Sequence, residues 1–190
     1  TTPIEKAVDD YLICLNKVYE YASYIVINIS SPNTKNLRDL QSQESLDILL
    51  QTLMLQRSKL EKKHNKYVPL VIKISPDLIN IEIKDIANIS LKYKIDGVIA
   101  TNTSISRPKS LKSTAYINEQ GGLSGGVIAP LSDKVISELS KHLQDKIPII
   151  GCGGVTDKLS AENKLKAGAK LLQVYTGFIY RGVDLIEEII

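Results

Sequence analysis

Short runs dominated by Val, Ile and Leu, at residues 24–30, 69–75, 97–102, 148–153 and 171–176, alternate along this chain with longer stretches of helical periodicity. Such continuous apolar character suits strands covered on both faces, as in a parallel sheet flanked by helices. Helices are expected at 4–22, 44–64, 81–93, 132–143 and 157–167, with Gly168 as a stop just past the last of them. The first helix carries Ile4, Val8, Leu12, Leu15 and Val18 as one packing stripe, with Glu5, Asp9, Asp10 and Lys17 elsewhere. The fold class is therefore α/β. An open sheet would gather its site at one switch point. Here every strand ends in reactive or permissive groups: Asn28 and Ser31, Lys73, Thr101 and Asn102, Gly153 and Gly154, Tyr175 and Thr176. Tips that all look functional need a ring, which favours a (β/α)8 TIM barrel. Such a barrel takes about 250 residues. The 190 residues of this chain are then expected to supply about its last five strand–helix units.

Composition narrows the function. With 43% hydrophobic and 24% charged residues the chain reads as an ordinary globular domain. Its net charge of +3 comes from lysines scattered along helical stretches, which is no nucleic-acid footprint. Cys14 and Cys152 form neither a disulfide framework nor a metal spacing, and His64 and His142 add no zinc set. No secretory signal or membrane-spanning run is evident. The opening TTPIEK reads as a helix start, with Thr2 as N-cap, Pro3 at the first helical position and Glu5 closing a capping box. A capped helix so close to the first residue points to a trimmed chain. No linker or repeat interrupts residues 1–190, so a single domain part is expected. Residues 104–130 form the longest stretch without a pattern, and loops of that length tend to be functional.

The strand tips suggest chemistry one by one. Lys73 lies in the apolar run PLVIKISPD, on the face of Val71 and Ser75 and opposite Leu70, Ile72 and Ile74. Either this is an edge strand with its lysine in water, or the lysine is a cation held against negative charge on a ligand. PIIGCGGV offers unobstructed backbone N–H groups to an anion. With LLQVYTGF it occupies the position where barrels commonly hold a phosphate, although tight turns with Tyr175 merely packing would give the same pattern. GGLSGG, at 121–126, reads as a weaker signal or a plain flexible loop. Asn28, Asn33, Asn102 and Thr103 supply neutral donors and acceptors suited to the edges of a planar imide or amide ring. Turn chemistry alone accounts for Asn33 and Asn36, but not for Asn28 inside a strand.

Taken together, NISSPNTKNLRDLQ, VKISPDL, IDGVIATNT, GGLSG, IPIIGCGGV and AGAKLLQVYTGFIYRG closely resemble the class 2, quinone-linked dihydroorotate dehydrogenases of pyrimidine biosynthesis. The resemblance covers nearly the whole chain, in order. It implies Ser31 as catalytic base, standing where class 1 relatives carry cysteine. It implies Asn28 against both flavin and substrate, and Asn33, Asn102 and Thr103 on the orotate ring. Lys73 and Thr101 would contact FMN, and Gly125, Gly154, Tyr175 and Thr176 would complete its site, the last three near the phosphate. The implied reaction takes a proton from C5 of dihydroorotate and a hydride from C6, after which a quinone reoxidises the flavin. The loop at 31–41, with Arg38 and Asp39, would be a lid.

The sequence departs from the family pattern at Ser75, where Ala is common, and at Gly126 and Val127, where a basic residue and Pro are usual. By the same resemblance the chain starts at the helix before the fourth barrel strand. A preceding part, in the same polypeptide or a separate chain, would carry the first three strands and the helical extension that meets membrane and quinone. Without it the alternative is an inactive fragment keeping part of the FMN or phosphate site. Two further readings are a phosphate-binding barrel without flavin and a class 1 enzyme in which Ser31 has replaced Cys. The implied location is peripheral, on the bacterial inner membrane or, alternatively, the mitochondrial inner membrane.

Overall fold

Parallel pairing runs unbroken through β1 (Ile25–Asn28), β2 (Leu70–Ile74), β3 (Gly97–Ala100), β4 (Ile149–Cys152) and β5 (Leu171–Gln173) in the computed structural model, which describes residues 3–111, 115 and 117–190. The strand order is sequential, β1-β2-β3-β4-β5, with no reversal. A doubly wound sheet reverses its order at a switch point, whereas sequential parallel strands with a helix between each pair make an arc of a barrel. β2 is therefore interior, flanked by β1 and β3, which removes the edge-strand explanation of Lys73.

Strand alternation divides the core in two. Ile27, Leu70, Ile72, Ile74, Val98 and Ala100 face the helices and join the large cluster that includes Leu49, Ile86 and Leu139. Val71, Ile99 and Cys152, with Val26 and Ile150 against them, form a small cluster on the other face. Each fully buried Ile or Leu contributes about 1.5–3 kcal/mol, so the helix side carries most of the stability. The inner face beyond that small cluster is left to polar side chains.

The helices are α1 (Ala7–Val18), α2 (Gln43–His64), α3 (Asn80–Tyr93), α4 (Ala129–Leu143), α5 (Lys158–Ala167), α6 (Thr176–Arg181) and α7 (Val183–Ile189). Thr2 lies outside the described residues, and Pro3, with extended ψ of 147°, precedes a 3-10 turn at Ile4–Lys6 instead of occupying the first helical position. Val18 departs from its expected stripe and is exposed, because the helix tightens to 3-10 geometry at Tyr19–Tyr21 and turns the buried Tyr19 inward in its place. The Tyr19 hydroxyl donates to the Lys66 carbonyl at 3.0 Å and accepts the Val68 N–H at 3.3 Å. α4 begins three residues before the expected 132, with Pro130 in its first turn, where the missing N–H costs nothing. Asp157 caps α5 by accepting the Ser160 N–H at 2.8 Å, and Gly168, at φ of +118°, ends it. Thr176 begins α6 instead of ending a strand. Among the described residues, no helix is long and apolar enough to cross a membrane.

Candidate active site

Every strand delivers its carboxyl end to one side of the sheet, and the register determines what meets there. Asn28 is the partner of Lys73, and Cys152 that of Gln173. A cavity of about 240 Å³ opens among the tips of β2 to β5. From β2 it takes Lys73, and from the end of β3 Thr101, Asn102 and Thr103. Gly125 of the 121–126 loop and Gly154 after β4 line it, as do Tyr175 and Thr176 at the start of α6. These eight predicted residues, drawn from well-separated parts of the chain, share one chamber. Asn28, Ser31 and Asn33 are not in its lining. A larger cleft of about 690 Å³, between α1 and the loop around Thr34 and Leu37, holds none of the predicted residues.

Asn28 reaches the chamber through one hydrogen bond. The Asn102 Nδ2 donates to Asn28 Oδ1 and to Ser30 Oγ, each at 3.1 Å, while Asn102 Oδ1 accepts the Thr103 N–H at 2.8 Å. Ser30 Oγ in turn donates to the Lys73 carbonyl at 2.6 Å. The tips of β1, β2 and β3 are thus tied by side chains. Ser30 is fully buried and was not among the candidates, although its two-residue spacing from Asn28 could have revealed it. Ser31 is half-buried, and its Oγ accepts the Asn33 N–H at 3.3 Å, so the turn is held by the serine instead of an asparagine side chain. Asn36 does take the left-handed turn conformation, at φ of +60°.

The 121–126 segment is more than a flexible loop. A Cβ on Gly122 would overlap the Thr103 side chain and come within 2.9 Å of Pro32 Cγ, and one on Gly121 would lie 3.3 Å from Asn33 Oδ1. The Ser31–Asn33 turn, Thr103 and this segment therefore pack together, bringing the exposed Asn33 beside Thr103. Ser104 and Leu123 secure the contact by an isolated antiparallel bridge.

Electrostatics differ around the chamber. Lys73 Nζ donates to Gln173 Oε1 at 3.3 Å, across the width of the cavity. Burial pushes the Cys152 thiol up, against the opposing influence of the Lys73 and Lys164 cations. Lys164, fully buried behind the sheet, donates to Ser132 Oγ at 3.0 Å and to Asp133 at 2.8 Å, and Ser132 Oγ donates to the Cys152 carbonyl at 2.7 Å. That carbonyl also accepts the Thr101 N–H at 2.7 Å, just after the cis peptide Ala100–Thr101. Neither Lys164 nor Asp77 was singled out from sequence. Burial draws the Asp77 carboxyl upward, but hydrogen bonds from Ser104 Oγ, the Ile105 N–H and Arg38 outweigh it and hold its pKa below the ordinary carboxylate value.

The model of the family described as dihydroorotate dehydrogenase matches residues 2–190. The chain belongs to the dihydroorotate dehydrogenase family. It is similar to the protein named dihydroorotate dehydrogenase (quinone) of Nitrosospira multiformis, 53% identical over 99% of this chain and 54% of that protein. It is likewise similar to the one of Haemophilus ducreyi, 54% identical over 100% of this chain and 56% of that one. Among solved structures it matches the dihydroorotate dehydrogenase of Eimeria tenella in complex with ferulenol, with a TM-score of 0.90 and 37% identity over 96% of this chain and 52% of that chain. The chain spans about half the length of the relatives it matches. Its strand–helix units are accordingly units of the (β/α)8 barrel of dihydroorotate dehydrogenases.

Proposed function

We propose that this chain forms the C-terminal part of the barrel of a quinone-linked dihydroorotate dehydrogenase, which oxidises dihydroorotate to orotate in pyrimidine biosynthesis. The observation that carries the reading is the single chamber lined by Lys73, the Thr101–Thr103 segment, Gly125, Gly154 and the Tyr175–Thr176 turn. The relatives of Nitrosospira multiformis and Haemophilus ducreyi, both bacteria, carry the quinone designation, which supports a peripheral place on the bacterial inner membrane. Contact with membrane and quinone would belong to the preceding part of the barrel protein.

The glycines that line the chamber support FMN as its occupant. Gly153 adopts φ of +103°, and a Cβ there would stand 3.1 Å from Ile128 Cδ1 and 3.5 Å from Thr101 Oγ1, narrowing the space between the β3 and β4 tips. Glycine leaves that space to a ligand. Lys73 and Thr101 would hold the ring system together with Asn28, and Gly125, Gly154, Tyr175 and Thr176 the ribityl phosphate end. When bound, the flavin would supply a two-electron acceptor for the hydride that leaves C6 of dihydroorotate.

The remaining chemistry belongs to the chain. Ser31 Oγ takes the C5 proton as its own hydroxyl proton leaves, and the hydrogen bond that it accepts from the Asn33 N–H holds the oxygen in place. A serine hydroxyl is a weak base, so the proton passes on through water or a neighbouring hydroxyl in a site closed from solvent. Asn102 is locked by hydrogen bonds at both ends of its amide, so it meets the substrate ring already oriented. Lys73 contributes positive charge on the side where electrons arrive. In the FMN-loaded full-length protein, Ser31→Ala is expected to slow flavin reduction by dihydroorotate about 10²–10⁴-fold with FMN content unchanged. Single-turnover reduction at the parent rate removes Ser31 as base.

One observation favours a second reading for the isolated chain. Among the described residues, β1 and β5 each pair on one side only, and Leu171 of β5 and Tyr175 just beyond it are largely exposed. A 190-residue chain prepared alone would then keep part of the flavin site without turnover. Its flavin absorbance and dihydroorotate oxidation, measured against the full-length protein, separate the two readings.

A further inference from the structure

We infer that Arg38 is a positioning residue, a clamp that fixes the loop bearing Ser31 onto the tips of β2 and β3, with Asp77 as the counter-charge that orients it. The inference rests on the functional reading above and deepens it.

The guanidinium uses its planar fork in three directions. Nε donates to the Ser30 carbonyl at 3.1 Å, one terminal nitrogen donates to Asp77 Oδ2 at 2.8 Å, and the other donates to the Thr103 carbonyl at 2.9 Å. The Ser30 carbonyl belongs to the peptide unit that leads into Ser31, so the first bond sets the plane from which the Ser31 side chain departs. The Thr103 carbonyl closes the Asn102–Thr103 pair proposed to hold the substrate ring. One rigid group therefore sets the spacing between the base and the Asn102–Thr103 ring contacts, with Arg38 and Thr103 lying 65 positions apart in sequence.

Asp77 holds the fork still. Its Oδ2 also accepts the Ile105 N–H at 2.9 Å, and its Oδ1 accepts Ser106 Oγ at 3.1 Å and the Ser104 hydroxyl. The carboxylate has no freedom to rotate away, and both partners of the pair are mostly covered, with side chains 19% and 13% exposed. Further along the same loop, Gln41 Oε1 accepts the Ser75 N–H at 2.9 Å, so its later part is pinned as well. Lysine at 38 could neutralise Asp77 but, as a point charge on a flexible stem, could not engage both carbonyls in fixed directions. That difference separates a clamp from a simple ion pair.

The test uses the FMN-loaded full-length protein and follows flavin reduction by dihydroorotate in single turnovers. Arg38→Lys is expected to lower the limiting rate about 10–100-fold, because displacements of about 1 Å at a reacting group cost that much. The half-saturating dihydroorotate concentration should move less than about threefold, since the loss falls on the transition state instead of ground-state binding. Amides of the Ser31 loop and of Thr103–Ile105 should exchange hydrogen faster while those of β2 and β3 do not. Asp77→Asn, which keeps shape and loses charge, should follow in the same direction with a smaller effect. In a Ser31→Ala background, Arg38→Lys should add no further slowing, because the clamp acts through Ser31. Arg38→Lys reduced at the parent rate despite faster exchange overturns the clamp, as does equal slowing with and without Ser31. If Ser31→Ala alone reduces at the parent rate, the base assignment fails instead, and the exchange measurement still reads the clamp by itself.

Discussion

The tips of β2 to β5 line one chamber, which the tip of β1 joins through Asn102, but the first three tips and the last two are built from different materials. At the first three, side chains bond to one another across strands: Asn102 to Asn28 and Ser30, Ser30 to the Lys73 backbone, Arg38 to Asp77. At the last two, glycines at φ of +103° and +84° expose backbone, and support comes from behind through Lys164, Ser132 and the Cys152 carbonyl. A planar ring with a fixed order of donors and acceptors must be met by groups held in fixed directions. A phosphate presents charge in every direction, so backbone N–H groups and open space suffice. On the proposed reading, the kind of polar group each strand ends with would divide the end that meets the substrate and flavin rings from the end that meets the phosphate.

The sharpest way to break the contrast is to remove the charge at the centre of the side-chain network. Asp77→Ala strands the mostly buried Arg38 and leaves the Ser104, Ile105 and Ser106 donors unmatched. Breaking such a pair costs about 3 kcal/mol, to be read as a loss of unfolding free energy in denaturant. The pH dependence has a defined sign. The folded-state pKa of Asp77 is lowered, so its contribution is complete above the unfolded carboxylate value and disappears as the pH falls through the folded one. The stability gap between the parent and Asp77→Asn should therefore narrow on acidification below about pH 4. A gap that widens there would mean that Asp77 is not the ionised partner of Arg38.

At the cofactor end the equivalent test is steric. A Cβ on Gly154 would fall 2.5 Å from Ala129 Cβ and 2.7 Å from its backbone nitrogen, and the residue sits at φ of +84°. Gly154→Ala must therefore move the start of α4 or the turn after β4. A cost of about 2 kcal/mol is expected from overpacking and backbone strain together. Flavin retention on gel filtration should fall with it, while Gly182→Ala, where nothing lies within 4 Å of an added Cβ, gives a control with backbone strain but no clash.

How much of this was legible beforehand depended on the range of the interaction concerned. The strands and the five main helices follow from local apolar patterns, and eight candidates met in one chamber because the ends of parallel strands must converge. The expected strands run past the paired ones at Ser30 and Thr176, since residue type does not reveal where a carbonyl leaves the ladder. The short helices α6 and α7 were not foreseen, being separated by Gly182 at φ of +62° and too brief to show a period. Asp77 and Lys164 escaped because each acquires its role from a partner 31 or more positions away, whereas Ser30 also bonds to Asn28 two positions before it. Val18 was misplaced by one residue for a local reason, the tightening of the helix at Tyr19, which apolar spacing does not encode.

The smallest expected effect sharpens the comparison most. Thr176 Oγ1 donates to Ser124 Oγ at 2.9 Å, a side-chain bridge across the cofactor end. Thr176→Val keeps the shape of the side chain and removes the hydroxyl, in a place where water can replace the lost partner. The loss of stability should be no more than about 0.5–1 kcal/mol, the net worth of one accessible hydrogen bond. If backbone and space do the work at this end, flavin should dissociate only modestly faster and the limiting reduction rate should hold. A destabilisation as large as that of Asp77→Ala would mean that β4 and β5 depend on side-chain ties as much as β1 to β3 do. The two ends would then share one construction, and the inference from polar group to ligand class would lose its footing.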